Sequence, residues 1–148
     1  MKITKRHIAI GIASAATVAA GVGVASTVDT ASAAPKVHTL KFVAVQTGQH
    51  RTGHNTFVGT DIERHKGQVV GFDTISGRFN VHTHEAFIRV AAARRGGLLY
   101  VALTQDASGQ LNGRVTGGAG RFRGATGTVT GHSPGNGKKT YVLVKYHF

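Results

Sequence analysis

The chain is predicted to be all-β, and three observations carry that expectation. After residue 33 no stretch of useful length repeats its apolar residues at helical spacing, whereas seven or eight segments alternate β-branched or aromatic residues with polar ones. Turn residues punctuate those segments at near-regular intervals. Between Val115 and Gly127 the chain reads V-T-G-G-A-G-R-F-R-G-A-T-G, with five glycines in thirteen residues. No ordinary helix tolerates that density, which suits a tight, bulged turn between strands. These features fit a sandwich and a barrel equally well.

In chain order, Val37 to Thr47 reads as a first strand and the polar, glycine-punctuated stretch from Gly48 to Asn55 as a loop. Thr56 to Arg64 and Gln68 to Ile75 follow as strands, joined by a hairpin at His65-Lys66-Gly67. Ser76-Gly77 is expected to break the chain before a long strand from Arg78 to Ala93, and Arg94-Arg95-Gly96-Gly97 to turn it. Leu98 to Thr104 is the most apolar strand. Asp106-Ala107-Ser108-Gly109 then turns the chain into Leu111 to Thr116, with the Asp106 carboxylate bonding backbone amides. In the glycine run, Gly117, Gly118, Gly120, Gly124 and Gly127 are expected to shape the turn around a packed Phe122. A strand to Gly131, a loop at Ser133-Pro134-Gly135-Asn136-Gly137 and a last strand from Thr140 to Phe148 complete the order. On that last strand Val142, Val144, Tyr146 and Phe148 share one face, a candidate interior that either packs shut or lines one small-ligand cavity.

The N-terminus has the pattern of an export signal. Lys2, Lys5 and Arg6 precede an apolar stretch from Ile8 to Val28, and Ala31-Ser32-Ala33 places small residues where a signal peptidase cuts. Residues 1–33 are therefore expected to be removed before Ala34, leaving a secreted domain of residues 34–148 with no stable membrane insertion after cleavage. An uncleaved anchor is the alternative that the apolar length allows. The remaining residues suffice for one domain with one core.

Residues 34–148 hold fifteen lysines and arginines against five carboxylates, a formal charge of +10. That excess favours surface polyanions as partners, or simply solubility. The basic residues are scattered, with short pairs at Arg94-Arg95 and Lys138-Lys139 and no aromatic-interleaved motif of specific nucleic-acid recognition. Any polyanion binding is expected to be weak and salt-sensitive. The chain has no cysteine, so it must hold itself by packing, and a closed sheet, which has no free edges, is one way to do that. Nothing in the strand pattern specifies an oligomeric state.

Few residues invite chemistry. His82-Thr83-His84 places two imidazoles on one face if the segment is a strand, as a pocket wall or half of a metal site. A regular strand would point Glu85 the other way, and nothing brings His65 near, so no metal is expected. Gly118-Ala119-Gly120 is followed by strand and turn composition rather than the helix a dinucleotide loop needs, so no cofactor is expected either. No hydrolase triad, metalloprotease motif or phosphate loop is present.

The run from Thr116 to Gly127 resembles the glycine-rich signature T-G-G-[ST]-G-x-[FY]-x-G-A-x-G of the allene oxide cyclase and dirigent-like barrel superfamily, departing at Ala119. Weaker similarity extends upstream to about Phe57 and downstream to Thr140–Tyr146. The resemblance implies a single closed, calycin-like antiparallel barrel of about eight strands with a central cavity. It further implies a small apolar ligand and, if the chain is catalytic, an isomerase or cyclase. Asp61, Glu63 and Asp73 lie in the strand pair where family members carry polar cavity residues, and Asp61 falls near the Asn or Asp of the family's F-T-[ND] element. Asp61 is accordingly the candidate catalytic residue, and His82, His84, Val142, Val144 and Tyr146 are candidate ligand contacts. The cysteine of the plant cyclases would fall near Ser76 or Gly77, where this chain has no thiol. A non-catalytic basic extracellular or envelope protein, binding polyanions on its surface, is the competing reading.

Overall fold

Alternating side chains build eight strands in the computed structural model, which describes residues 34–135 and 137–148. They are β1 (His38–Arg51), β2 (Thr56–His65), β3 (Gln68–Asn80), β4 (Glu85–Arg94), β5 (Gly97–Gln105), β6 (Gln110–Gly120), β7 (Thr126–His132) and β8 (Lys139–His147). Each pairs antiparallel with the next, and β8 returns to pair with β1, closing the barrel. Closure leaves every strand paired on both sides, so a chain without disulfides exposes no sheet edge. The expected leader and its Ala31-Ser32-Ala33 site lie outside the described residues. Among those described, no helix is long and apolar enough to cross a membrane.

The strand count and the closed topology match the expectation, while several boundaries differ for physical reasons. Ser76-Gly77 does not break the chain: β3 runs through both residues to Asn80. Gly77 is there because the Phe57 ring, reaching across from its register partner position on β2, occupies the space a Cβ would need. The chain instead reverses over Val81–His84, where the Asn80 side-chain oxygen accepts a hydrogen bond from the His82 N–H at 3.0 Å, a local turn device. The first strand also runs past Gly48 to Arg51, because a bulge at Thr47 restores its pairing with β2 beyond Gln46.

The glycine run is half strand and half turn. β6 continues to Gly120, whose φ of 60° starts a reversal in which the Arg121 N–H donates to the Gly96 carbonyl at 2.9 Å. That reversal drops Phe122 into the end of the barrel, where it is fully buried. Tyr146 meets its ring edge-on, with centroids 5.7 Å apart, and the Arg121 guanidinium lies 4.7 Å from its centroid. Phe122, Ala125, Leu99, Val115 and Tyr146 form a packed floor continuous with the rest of the core.

Candidate functional site

Above this floor the barrel interior is open. A cavity of about 310 Å³ is walled by apolar side chains including Phe42, Ile75, Ile88, Val90, Val101, Leu103, Val142 and Val144. The volume lies at the lower end of the range of ligand pockets. The cavity leads toward the end of the barrel where β1, β3, β5 and β7 finish. There Gln49, Phe57, Gln105 and Ser133 line both the cavity and a groove at the mouth. The vessel is therefore blind: Phe122 and Tyr146 close one end and four turns surround the other.

Its polar groups gather in the deeper part. Asp61 on β2 stands directly opposite Asp73 on β3. Two residues further along β2, Glu63 faces the floor side, opposite Gly71, which in turn pairs with Arg94 on β4. The Arg94 Nη2 lies 2.5 Å from Glu63 Oε2, with both side chains almost fully buried. Asp61 Oδ1, Glu63 Oε1, Asp73 Oδ1 and Arg94 Nε have no hydrogen-bond partner among the described residues.

Burial dominates the acidity of this cluster. It pushes the Glu63 carboxyl up to about 7, Asp61 adding to the rise and Arg94 opposing it. It pushes Asp73 up to about 8, with Asp61 and Glu63 adding and Arg94 opposing. Asp61 is also raised by burial, and Arg94 is held below its ordinary value by burial, against the pull of Glu63. Carboxyls tuned toward neutrality are the groups that can both hold and deliver a proton there.

The structure sorts the sequence candidates. Asp61 lines the cavity, Val142 and Val144 form its wall, and Tyr146 belongs to the floor. His82 and His84 do not share a strand face, because both sit in the exposed β3–β4 turn. His84 reaches the rim of the mouth and His82 does not, so neither projects among the carboxyls. Asp106 bonds its own turn, accepting from the Ser108 and Gln110 N–H groups at 2.9 and 3.0 Å. Glu63 and Asp73 complete the cluster with Asp61, and their signal was in the sequence, since Asp61 and Glu63 share a parity on β2. Arg94, read as a turn residue, ends β4 pointing inward on the same parity as Ile88, Val90 and Ala92.

No family model matches the chain, and no curated protein matches it. Solved structures do. The chain is similar to the pterocarpan synthase dirigent protein GePTS1, with a TM-score of 0.66 and 14% identity over 77% of this chain and 89% of that one. It is similar to a pyocyanin demethylase, with a TM-score of 0.62 and 17% identity over 74% of this chain and 99% of that one. It is also similar to the exo-specific intermolecular Diels-Alderase AbnU, with a TM-score of 0.61 and 10% identity over 76% and 99% of the two chains. With eight antiparallel strands closed on themselves and a glycine-framed Phe122 at one end, this chain shares the closed β-barrel fold of these solved structures, a dirigent protein among them.

Proposed function

We propose that the chain binds a small, largely apolar molecule in the barrel and acts on it as an isomerase or cyclase by proton transfer, with Asp61 and Asp73 as the exchanging pair. The observation that carries this reading is the placement of the opposed Asp61 and Asp73, with Glu63 below them, in the deep part of a blind cavity whose walls are largely apolar. Facing carboxyls in a poorly solvated site titrate as a pair, so one can accept a proton from the substrate while the other delivers one. Arg94 is engaged by Glu63, which holds the floor of the site and leaves the aspartates to react. Fold neighbours described as a Diels-Alderase and as a heme-binding cyclase support the use of such a barrel for ring-forming chemistry.

The test has two steps. Titration with naphthalene-2-methanol followed by NMR should shift resonances of the cavity residues, and Val142→Trp should abolish those shifts by filling the space. With 2-tetralone in heavy water, the protein should exchange the α-protons faster than buffer does, and Asp73→Asn should remove that excess while retaining binding. Binding without exchange would leave a carrier rather than an enzyme.

A second reading is favoured by one observation, the separation of charge across the barrel wall. Asp61, Glu63 and Asp73 face inward, and Glu85 and Asp106 sit at or beside turns, whereas Lys41, Arg64, Arg78, Arg89, Arg114 and Lys145 are exposed along the strands. Arg89 and Arg114 share one register row, with Ala102 between them. This outer face suits a polyanion chain held by charge alone. Heparin binding that weakens steeply with salt and with Arg89→Ala/Arg114→Ala would support this reading; binding indifferent to both would end it.

A further inference from the structure

The cavity's polar floor is unbalanced, and the imbalance identifies the ligand more narrowly. The described groups facing its deep part are Asp61 and Glu63 from β2, Asp73 from β3 and Arg94 from β4. Tyr146 from β8 and Arg121 from the β6–β7 turn act on Arg94 from the floor. Three carboxyls thus meet one guanidinium inside the cavity, which pairs with Glu63 through Nη2 and keeps its Nε without a partner among the described residues. Gln46, the register partner of Asp61 on β1, donates from its amide nitrogen to Gln49 Oε1 at 2.9 Å, toward the mouth. Two wholly or nearly buried side chains, Glu63 and Asp73, keep an acceptor oxygen without a donor, as does Asp61.

From this geometry we propose that the ligand's leading group is a cationic nitrogen, a protonated amine on an apolar body, seated between Asp61 and Asp73 above the Glu63–Arg94 pair. This deepens the ligand-vessel reading and rests on it. An anionic group would enter a site already holding surplus carboxyls, at a cost that low polarity magnifies. A neutral donor would satisfy one oxygen and leave the carboxyls dependent on bound protons to offset their surplus. A protonated amine supplies up to three donors and the missing positive charge together. The walls suit the rest of such a molecule, since Ile88, Val90 and Leu103 offer apolar contact and no charge, while the Phe42 ring is covered by the Arg94 guanidinium, 4.4 Å from its centroid.

The proposal has a thermodynamic signature. Without a ligand, the surplus is relieved by protons on the carboxyls, as the upward shift of Asp73 to about 8 describes. A cation placed beside Asp73 favours its ionised form, so binding at pH 7 displaces a proton from the carboxyl to the buffer.

The experiment is calorimetric titration of the protein at pH 7 with three probes of one shape: 2-naphthylmethylamine, naphthalene-2-methanol and 2-naphthoate. It is run in two buffers of different ionisation heat so that protons are counted. The amine should bind about ten-fold or more tighter than the alcohol, roughly 1.4 kcal/mol, with net proton release, and the naphthoate should not bind. Asp61→Asn and Asp73→Asn should bring the amine affinity down toward that of the alcohol, with circular dichroism showing that the variants keep the β-barrel. If a variant does not fold, the probe comparison and the proton count on the unaltered chain decide the matter. Alcohol binding with no preference for the amine, or amine binding without proton release, would overturn the cationic assignment and leave the vessel standing. If none of the three binds, the vessel reading falls, and this proposal with it.

Discussion

Glu63 and Arg94 meet across Gly71. The three occupy one register row on β2, β3 and β4, so the ion pair spans an intervening strand rather than joining neighbours. It can do so because Gly71 places no side chain in the gap. A Cβ there would lie 2.5 Å from Glu63 Oε2 and 2.8 Å from the Ala93 carbonyl oxygen.

Gly71→Ala should therefore destabilise the barrel by about 1–3 kcal/mol, the usual range for overpacking a filled interior. Arg94→Met should cost about 3–5 kcal/mol, because it leaves the Glu63 carboxyl buried without its partner. Adding Glu63→Gln to Arg94→Met should recover most of that loss. Urea unfolding of the four proteins measures all three effects, and a double variant no more stable than Arg94→Met would show that the pair contributes little.

Stability should fall as pH rises from about 4 to about 8. Unfolded, the Glu63 and Asp73 carboxyls ionise near their ordinary values of 4.5 and 3.8; folded, they keep their protons up to about 7 and about 8. Across that window the native state binds more protons than the unfolded one, so each step up in pH favours unfolding, and the loss levels off above the folded values. Exposed Asp106, held low by Ser108, works in the opposite sense and only in acid. Urea midpoints at pH 5 and pH 8 check the direction, and Asp73→Asn should shrink the difference.

Removing the floor should be costly. Phe122 is fully buried and packs on Tyr146, so Phe122→Ala should lose about 3–5 kcal/mol. Gly120→Ala should cost about 1 kcal/mol or more, since its φ of 60° and its approach to the Gly96 carbonyl leave no room for a methyl group. Thermal melts of the two variants provide the comparison, and an unchanged Gly120→Ala would mark that turn as ordinary.

How legible each part was depends on how local its cause is. Period two alone placed Val142 and Val144 on the interior wall, and the glycine density around Phe122 announced a tight turn with a packed ring. Asp61 and Glu63 could be read as sharing a face because they lie two apart on one strand. Gly77 misled because its role is to make room for Phe57, a residue twenty positions away, and only the β2–β3 register reveals that. Asn80 was missed as the turn signal because a single side-chain bond, rather than a run of turn residues, reverses the chain there. Arg94 was the least legible, since its partner is fixed by a row across three strands, and beside Arg95 and two glycines it looks like any basic turn.

A barrel shut by Phe122 at one end has a single door. On the proposed reading a molecule would enter head first, its leading end meeting Asp61, Asp73 and Glu63 and its trailing end staying among Gln49, Gln105 and the turns of the rim. Discrimination is then strict for the head group and lax for the tail, so molecules sharing one end and differing in length would all be admitted. If the proposed proton transfer occurs, product would leave backward by the same route before the next molecule enters, which makes the rim, rather than the carboxyls, the place where turnover would be slowed or hastened.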